Sequence, residues 1–155
     1  MAHELQQQHA ETAPIIVERA AASLPQTAQT AYFTITGRVL ITMLVGEVTT
    51  EVQAQATTLQ WVANPTVGAD VTITSAGLDA TGDTVGTLYG VTGTLASQID
   101  IRASGVLAPS ELMASPGLLL AAGTLDLKTV ASSTGGTKWT IHYVPLDSNS
   151  TVVTA

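Results

Sequence analysis

The sequence predicts an all-β fold, specifically an antiparallel sandwich or barrel. Short runs rich in Val, Ile and Thr recur about every 8–12 residues and are separated by Gly, Pro, Asn and Asp, which favour turns. The 155 residues include 25 threonines, and a β-branched side chain suits a pleated strand. No segment keeps the apolar spacing of an amphipathic helix, which disfavours βαβ architectures. Among sandwiches, we expect a jelly roll.

The first predicted element is an N-terminal arm over residues 1–14. This segment is rich in Gln, Ala and Glu and carries no apolar stripe, which predicts a flexible or extended arm. One β-sandwich domain is expected over residues 15–155, because this length suits a single domain. Its first strand is predicted at Ile15–Arg19, and Pro25 breaks the run that follows.

The next strands are predicted at Tyr32–Thr36 and Arg38–Val45. Residues 39–45 are apolar except for Thr42, so both faces of this strand are expected to be covered, one of them by a partner. Gly46 is expected to end the strand, and Glu47–Ala56 is predicted as a further alternating strand.

Later strands follow the same pattern. Thr58–Ala63 ends at the turn-forming pair Asn64–Pro65, and Gly77–Asp83 is predicted to be a loop. Residues 104–116 are expected to be irregular, with one helical turn at Ser110–Ala114. The remaining predicted strands are short and are punctuated by glycines: residues 71–74, Thr84–Val91, Leu95–Ile101, Leu118–Ala121, Thr124–Ala131 and Lys138–Val144.

The charge of the chain and the length of its apolar runs argue against two classes of partner. The net charge is −7 and the five basic residues are scattered, so we expect no nucleic-acid partner, since phosphate binding needs clustered Lys and Arg. A membrane partner is also not expected, because the apolar runs are far shorter than the about 20 residues that span a bilayer. The chain has no cysteine, which is compatible with assembly in a reducing cytoplasm.

Charged residues make up only 11% of the chain, against about 25% in ordinary soluble domains. A free monomer normally keeps a charged surface for solubility, so a surface poor in charge indicates that much of it meets other protein. The candidate interface residues lie in the first strand and in the long apolar strand: Ile15, Ile16, Val17, Val39, Ile41, Met43 and Val45.

Residues with catalytic or metal-binding potential are few. His3 and His9 are six apart, a spacing that does not suit a zinc pair, and no nucleophile motif accompanies His142, whose role as a general base is the one catalytic alternative. Asp79 and Asp83 lack the ligand spacing of a calcium loop and are expected to cap turns. We therefore expect no enzyme, no metal and no cofactor. Trp61 and Trp139 are expected in the core.

Several segments together resemble small structural proteins encoded among the head and tail genes of tailed bacteriophages. The resemblance runs from about Ile15 to Asp147, and its most specific parts are GEVTT, ANPTVG, GTLYGVTGT and KWTIHYVPLD. These are framework motifs, so no catalytic residue is carried over. The resemblance implies a virion component, and among such proteins the nearest type is an all-β capsid decoration (cement) protein.

That resemblance implies specific partners and a location. A decoration protein sits on the exterior of the capsid, is assembled in the host cytoplasm, and clamps neighbouring subunits of the major capsid protein. Association with copies of itself, as a trimer, is also expected. The alternative is a head-fibre, tail or receptor-binding module, which would contact a host glycan or protein through the LDATGD (78–83) and ASSTGG (131–136) loops.

Overall fold

The computed structural model describes residues 13–103 and 105–155. Within these residues the chain forms twelve β-strands and one 3-10 turn at Pro109–Glu111, and no α-helix. The predicted all-β fold is therefore confirmed. The strands in chain order are β1 (Ile15–Ser23), β2 (Gln29–Thr36), β3 (Val39–Thr50), β4 (Thr58–Pro65), β5 (Val71–Thr72), β6 (Leu78–Asp79), β7 (Leu88–Gly90), β8 (Asp100–Arg102), β9 (Leu118–Leu120), β10 (Gly123–Thr129), β11 (Gly136–Pro145) and β12 (Thr151–Thr154).

Two antiparallel six-stranded sheets face each other. Sheet A has the order β1-β11-β3-β7-β8, with β9 also pairing with β3, and sheet B has the order β12-β2-β10-β4-β5, with β6 also pairing with β4. The chain pairs with itself in reverse order: β1 with β11, β2 with β10, β3 with β9, and β4 with β5. The two facing sheets confirm the predicted antiparallel sandwich, and the jelly roll stays a prediction, which the reverse order of pairing favours.

The centre of the core is a cluster of aromatic rings that joins the two sheets. Trp61 of β4 and Trp139 of β11 are fully buried, as predicted, with ring centroids 4.8 Å apart at 86°. Tyr89 of β7 stacks on Trp139 at 5.9 Å, and Tyr32 of β2 meets Trp61 edge-on at 5.6 Å. These geometries are the ones that aromatic quadrupoles favour.

The predicted end of a strand at Gly46 is wrong, because β3 continues to Thr50. Gly46 pairs with Trp139, and a Cβ atom at Gly46 would lie 2.8 Å from carbons of the indole ring. The glycine is therefore a packing position and not a turn. As a consequence, the predicted strand Glu47–Ala56 is also wrong, since its first residues belong to β3 and residues 51–57 form a connection.

Other predicted strands are confirmed in place but differ in length. Residues 84–87 form a turn, in which the Thr87 N–H donates to the Thr84 carbonyl at 3.1 Å, so β7 begins only at Leu88. The predicted strand Leu95–Ile101 is wrong over its first five residues, since β8 begins only at Asp100. β12 was not predicted at all. β12 adds to the edge of sheet B beside β2, where Val152 enters the core. The predicted helical turn is a single 3-10 turn one residue earlier.

The N-terminal arm predicted over residues 1–14 lies outside the described residues, except for Ala13 and Pro14, which are exposed. β1 begins at Ile15, as predicted. In the part of the chain that the structure describes, no helix has the length and hydrophobicity that crossing a membrane requires.

One arginine joins the two sheets along the side of the sandwich where β1 and β12 lie. Arg19 of β1 donates from Nη1 to the carbonyl oxygens of Tyr32, at 3.2 Å, and Ala155, at 2.8 Å. Its guanidinium carbon lies 4.2 Å from the centroid of the Tyr32 ring, a cation–π contact. A strand of sheet A is thereby held against two elements of sheet B.

Candidate functional site

At a β-bulge in the long apolar strand β3, the alternation of inward-pointing and outward-pointing residues shifts by one residue. Met43 pairs with His142 and Ile41 with Tyr143, so Thr42 is an extra residue with no partner on β11. Before the bulge, Val39 and Ile41 point into the core. After it, Leu44 takes the core position. Because successive side chains of a strand alternate, Met43 and Val45 point to the outside of sheet A.

The bulge changes which of the predicted interface residues can contact a partner. Val39 and Ile41 are 0% and 1% exposed in the chain's own core, so neither can contact a partner. Val17 pairs with the buried Ile141 and is also turned inward, half-buried. The sequence placed Val39, Ile41, Met43 and Val45 on one face, because a strict two-residue period has no means of detecting an inserted residue.

The outer side of sheet A carries an apolar face, which has six aliphatic or thioether side chains. Leu119, Leu40 and Val144 lie in one row across β9, β3 and β11, and Met43, His142 and Ile16 follow in the next row. Ile16 and Leu119 are 61% and 59% exposed, and the others are half-buried. The members of the apolar face are Ile16, Leu40, Met43, Val45, Leu119 and Val144.

Ion pairs border the apolar face. Lys138 Nζ lies 2.9 Å from Glu47 Oε2 on adjacent strands, and Arg102 pairs with Glu111. The hydrogen bond from Arg102 holds the pKa of Glu111 below its ordinary value. Glu111 belongs to a segment that packs on β7, where a Cβ atom at Gly90 would overlap the Glu111 carbonyl. An apolar centre with a polar rim is the usual organisation of a protein interface.

A cleft of about 420 Å³ lies next to the apolar face, between β9 of sheet A and β5 of sheet B. Its floor includes the buried side chains of Ile35 and Ile73. Leu119 belongs both to the cleft and to the apolar face, so the two surfaces are continuous. None of the lining residues is charged: Ile35, Ala63, Pro65, Val67, Gly68, Ala69, Val71, Ile73, Leu95, Leu118, Leu119, Leu120, Ala121 and Thr124.

The opposite end of the sandwich is polar, and it brings together the LDATGD and ASSTGG loops. Thr57 links them, since its carbonyl accepts from the Ala80 N–H at 3.0 Å and its hydroxyl donates to the Ala131 carbonyl at 3.1 Å. Gln53 Oε1 accepts from the Thr134 N–H at 3.3 Å. We call residues 51–57, 79–87 and 130–135 the polar end.

The two aspartates of the LDATGD loop have different roles. Asp79 Oδ1 accepts from the Thr81 N–H at 3.0 Å and from the Thr81 hydroxyl, which lowers the pKa of Asp79 and caps the turn as predicted. Asp83 Oδ2 instead accepts from the Tyr89 hydroxyl at 2.6 Å. Burial raises the pKa of Asp83, with a smaller contribution from the nearby Asp79 charge. Both carboxylates therefore have structural roles: Asp79 stabilises its own turn, and Asp83 joins the loop to Tyr89.

His142 lies on the apolar face between Ile16 and Met43. Burial lowers its pKa, so the imidazole is neutral at pH 7. Among residues 13–103 and 105–155, no three His, Cys, Asp or Glu side chains lie together as a metal site would require. The arrangement around His142 is suited to apolar contact.

Comparison with protein-family models, with curated proteins and with solved structures found no match to this chain.

Proposed function

We propose that this chain is a virion structural protein: a capsid decoration protein that clamps neighbouring major-capsid subunits of a tailed bacteriophage and associates with itself as a trimer. The observation that carries the proposal is the apolar face, which exposes Ile16 and Leu119 and is bordered by ion pairs. Exposure of these apolar side chains to water costs free energy, and a partner that covers them removes this cost.

The chemistry of the apolar face suits a clamp that works by many modest contacts. Burial of apolar area contributes about 25 cal/mol per Å², from which the cost of association is subtracted. The contacts come mainly from aliphatic side chains on the hydrogen-bonded strands β1, β3 and β11, so little side-chain and backbone conformational freedom is lost on docking. A clamp of this kind loses little strength when salt is added, because it does not depend on ion pairs.

The resemblance to phage head and tail proteins supports the choice of a virion over other assemblies. The motifs that carry it fall on framework positions: Gly46 and Trp139 pack against each other, and ANPTVG contains the turn beside the cleft. The location on the capsid exterior and the trimer rest on that resemblance.

The experiment is co-sedimentation of the purified chain with shells of the major capsid protein encoded in the same genome. We expect saturable binding at a fixed ratio of chain to capsid subunit. Ile16→Glu, on the apolar face, should weaken binding at least about 10-fold, the effect of losing one well-packed contact. Val130→Glu is the matched control, because Val130 is 54% exposed at the polar end. Absence of binding by the wild-type chain would refute the proposal.

The second candidate is a fibre or receptor-binding module, and the meeting of the LDATGD and ASSTGG loops at the polar end favours it. Ser132 and Thr134 are exposed there. If this function is correct, the purified chain binds host cells, and joint replacement of Ser132 and Thr134 by alanine reduces that binding. Joint replacement of Thr151 and Thr154, which are exposed on β12, is the control.

A further inference from the structure

The cleft lies directly beside a protruding apolar side chain. Val67 is 90% exposed on the turn that follows β4, and the same residue forms part of the rim of the cleft. Gly68 allows this turn to project, since its φ of +114° is a conformation that other residues rarely adopt. A protruding apolar side chain, Val67 (the knob), and an apolar cleft (the hole) therefore lie side by side on one surface.

Electrostatics disfavours most other ways of bringing two copies together. Each copy carries a net charge of −7, so contact between charged regions is repulsive. Three of the five basic residues, Arg38, Arg102 and Lys138, are already paired with acids of their own chain. The cleft has no charged lining residue, so two copies can approach through it at a low electrostatic cost.

The exposed area is appropriate for a stable contact. The four rim residues Val67, Val71, Leu95 and Leu119 are between 45% and 90% exposed, which amounts to on the order of 400 Å² of mainly apolar surface. Each partner in a standard interface buries about 800 Å². A little over half of such an interface is non-polar, so the rim supplies most of the apolar part that is needed.

We propose that copies of this chain associate by inserting Val67 of one copy into the cleft of the next. The floor formed by Ile35 and Ile73 and the wall formed by β9 receive the side chain. In a closed ring of three copies, each Val67 enters the cleft of the next copy, so every cleft is filled in succession. The inference deepens the self-association in the proposed function and rests on it. The cleft adjoins the apolar face and shares Leu119 with it, while Ile16, Met43 and Val45 of the apolar face lie outside the cleft.

The first test is sedimentation equilibrium of the purified chain across a range of concentrations. We expect the wild-type chain to form a trimer, and Val67→Asp to weaken association at least about 10-fold, because a carboxylate in the cleft would lose its hydration. Val85→Asp is the control, since Val85 is 63% exposed at the polar end. A wild-type monomer, or an oligomer that Val67→Asp leaves intact, would overturn the proposal.

The second test uses the absence of cysteine in the chain. A Val67→Cys chain and a Leu119→Cys chain, carrying different tags, are mixed under oxidising conditions. Because a disulfide forms only when the Cβ atoms come within about 4.5 Å, we expect a mixed disulfide from this pair and none from Val85→Cys with Leu119→Cys. Equal yields from both pairs would contradict insertion into the cleft.

The outcomes separate this inference from the proposed function. A monomeric chain that still co-sediments with capsid shells overturns insertion of Val67 and leaves the decoration role standing. An oligomer that is linked between Val67 and Leu119 but does not bind shells supports the insertion and refutes the decoration role.

Discussion

Gly46 lies against the indole of Trp139 in the middle of sheet A, and its lack of a side chain lets the ring pack between the sheets. A methyl group there would come within 2.8 Å of three ring carbons. Gly46→Ala should therefore destabilise the fold by about 1–3 kcal/mol, the usual cost of overpacking a core. Chemical denaturation followed by tryptophan fluorescence measures this.

The control for Gly46 is Gly77→Ala. The nearest atoms to a methyl group at Gly77 are side-chain atoms of Gln98 and Ser75, at 3.3 Å, and these can shift. We expect this variant to change the free energy of unfolding by less than about 0.5 kcal/mol, as surface substitutions usually do. Equal destabilisation by both variants would show that the Trp139 contact is not the cause.

The ion pair between Arg38 and Asp147 makes the stability of the fold depend on pH in the acidic range. Asp147 accepts hydrogen bonds from Arg38 Nη2 at 2.6 Å and from the Arg38 N–H at 2.8 Å, and these hold its pKa below the ordinary value. The unfolded chain, with an aspartate pKa of about 3.9, then binds more protons than the folded chain in acid. The stabilisation is complete above that pKa and is lost as pH falls below about 4.

Asp147→Asn tests this dependence. Melting temperatures are measured between pH 6 and pH 3 for the wild type, for Asp147→Asn and for Arg38→Gln. We expect both variants to lose less stability over this range than the wild type does, because each lacks the pair. If the wild type and both variants lose the same stability, other carboxylates are responsible for the acid sensitivity.

At the level of elements, the sequence predicted the strands that its alternation defines. β4, β10 and β11 lie where apolar side chains alternate with polar or charged ones, and the inward positions of Trp139, Ile141 and Tyr143 are confirmed. The bulge at Thr42 was not predictable, because it depends on the pairing of β3 with β11. The role of Gly46 depends likewise on Trp139, which is distant in sequence. The strand pairs β3–β9 and β4–β5, and with them the cleft, were not predictable for the same reason.

Arg19 acts between elements, since it joins β1 to Tyr32 and Ala155 of sheet B. Arg19→Ala removes both hydrogen bonds and the contact with the Tyr32 ring, which should cost about 1–3 kcal/mol. Because β1 and β12 are both edge strands, the loss should be local. Hydrogen exchange should become faster in β1 and β12 and remain unchanged in β10.

Two outcomes would contradict this account of Arg19. Faster exchange throughout both sheets would show that Arg19 supports the whole fold, and no change would show that the hydrogen bonds contribute little. Arg19→Lys is a useful companion, since a single ammonium cannot reproduce the planar contact with the Tyr32 ring.

At the scale of the whole molecule, the two ends of the sandwich differ in the polarity of their surfaces. The apolar face and the cleft lie towards one end, and glutamine, threonine, serine and aspartate side chains dominate the other. The low content of charged residues predicted that part of the surface would be covered by protein. Of the surface that the sequence named, Ile16, Met43 and Val45 lie on the apolar face, whereas Leu119 and the cleft were not predicted, because they depend on residues that are distant in sequence and adjacent only after the sheets form.

This distribution predicts how salt acts on self-association. If copies meet through the uncharged cleft, their net charges of −7 oppose association, and salt screens that repulsion over the Debye length of about 8–10 Å. The association constant should therefore rise between 20 mM and 500 mM sodium chloride (roughly the range over which the Debye length falls several-fold). A decrease would indicate an interface built on ion pairs, and sedimentation equilibrium distinguishes the two.

The strands of both sheets run lengthwise between the end that carries the cleft and the loops that surround Thr57. Tension applied from one end to the other would pull neighbouring strands past each other, and every rung of the β3–β11 ladder would have to yield together. A sandwich pulled crosswise would open one rung at a time. The direction of the strands thus gives the molecule its greatest mechanical strength along the line that joins the cleft to the loops around Thr57.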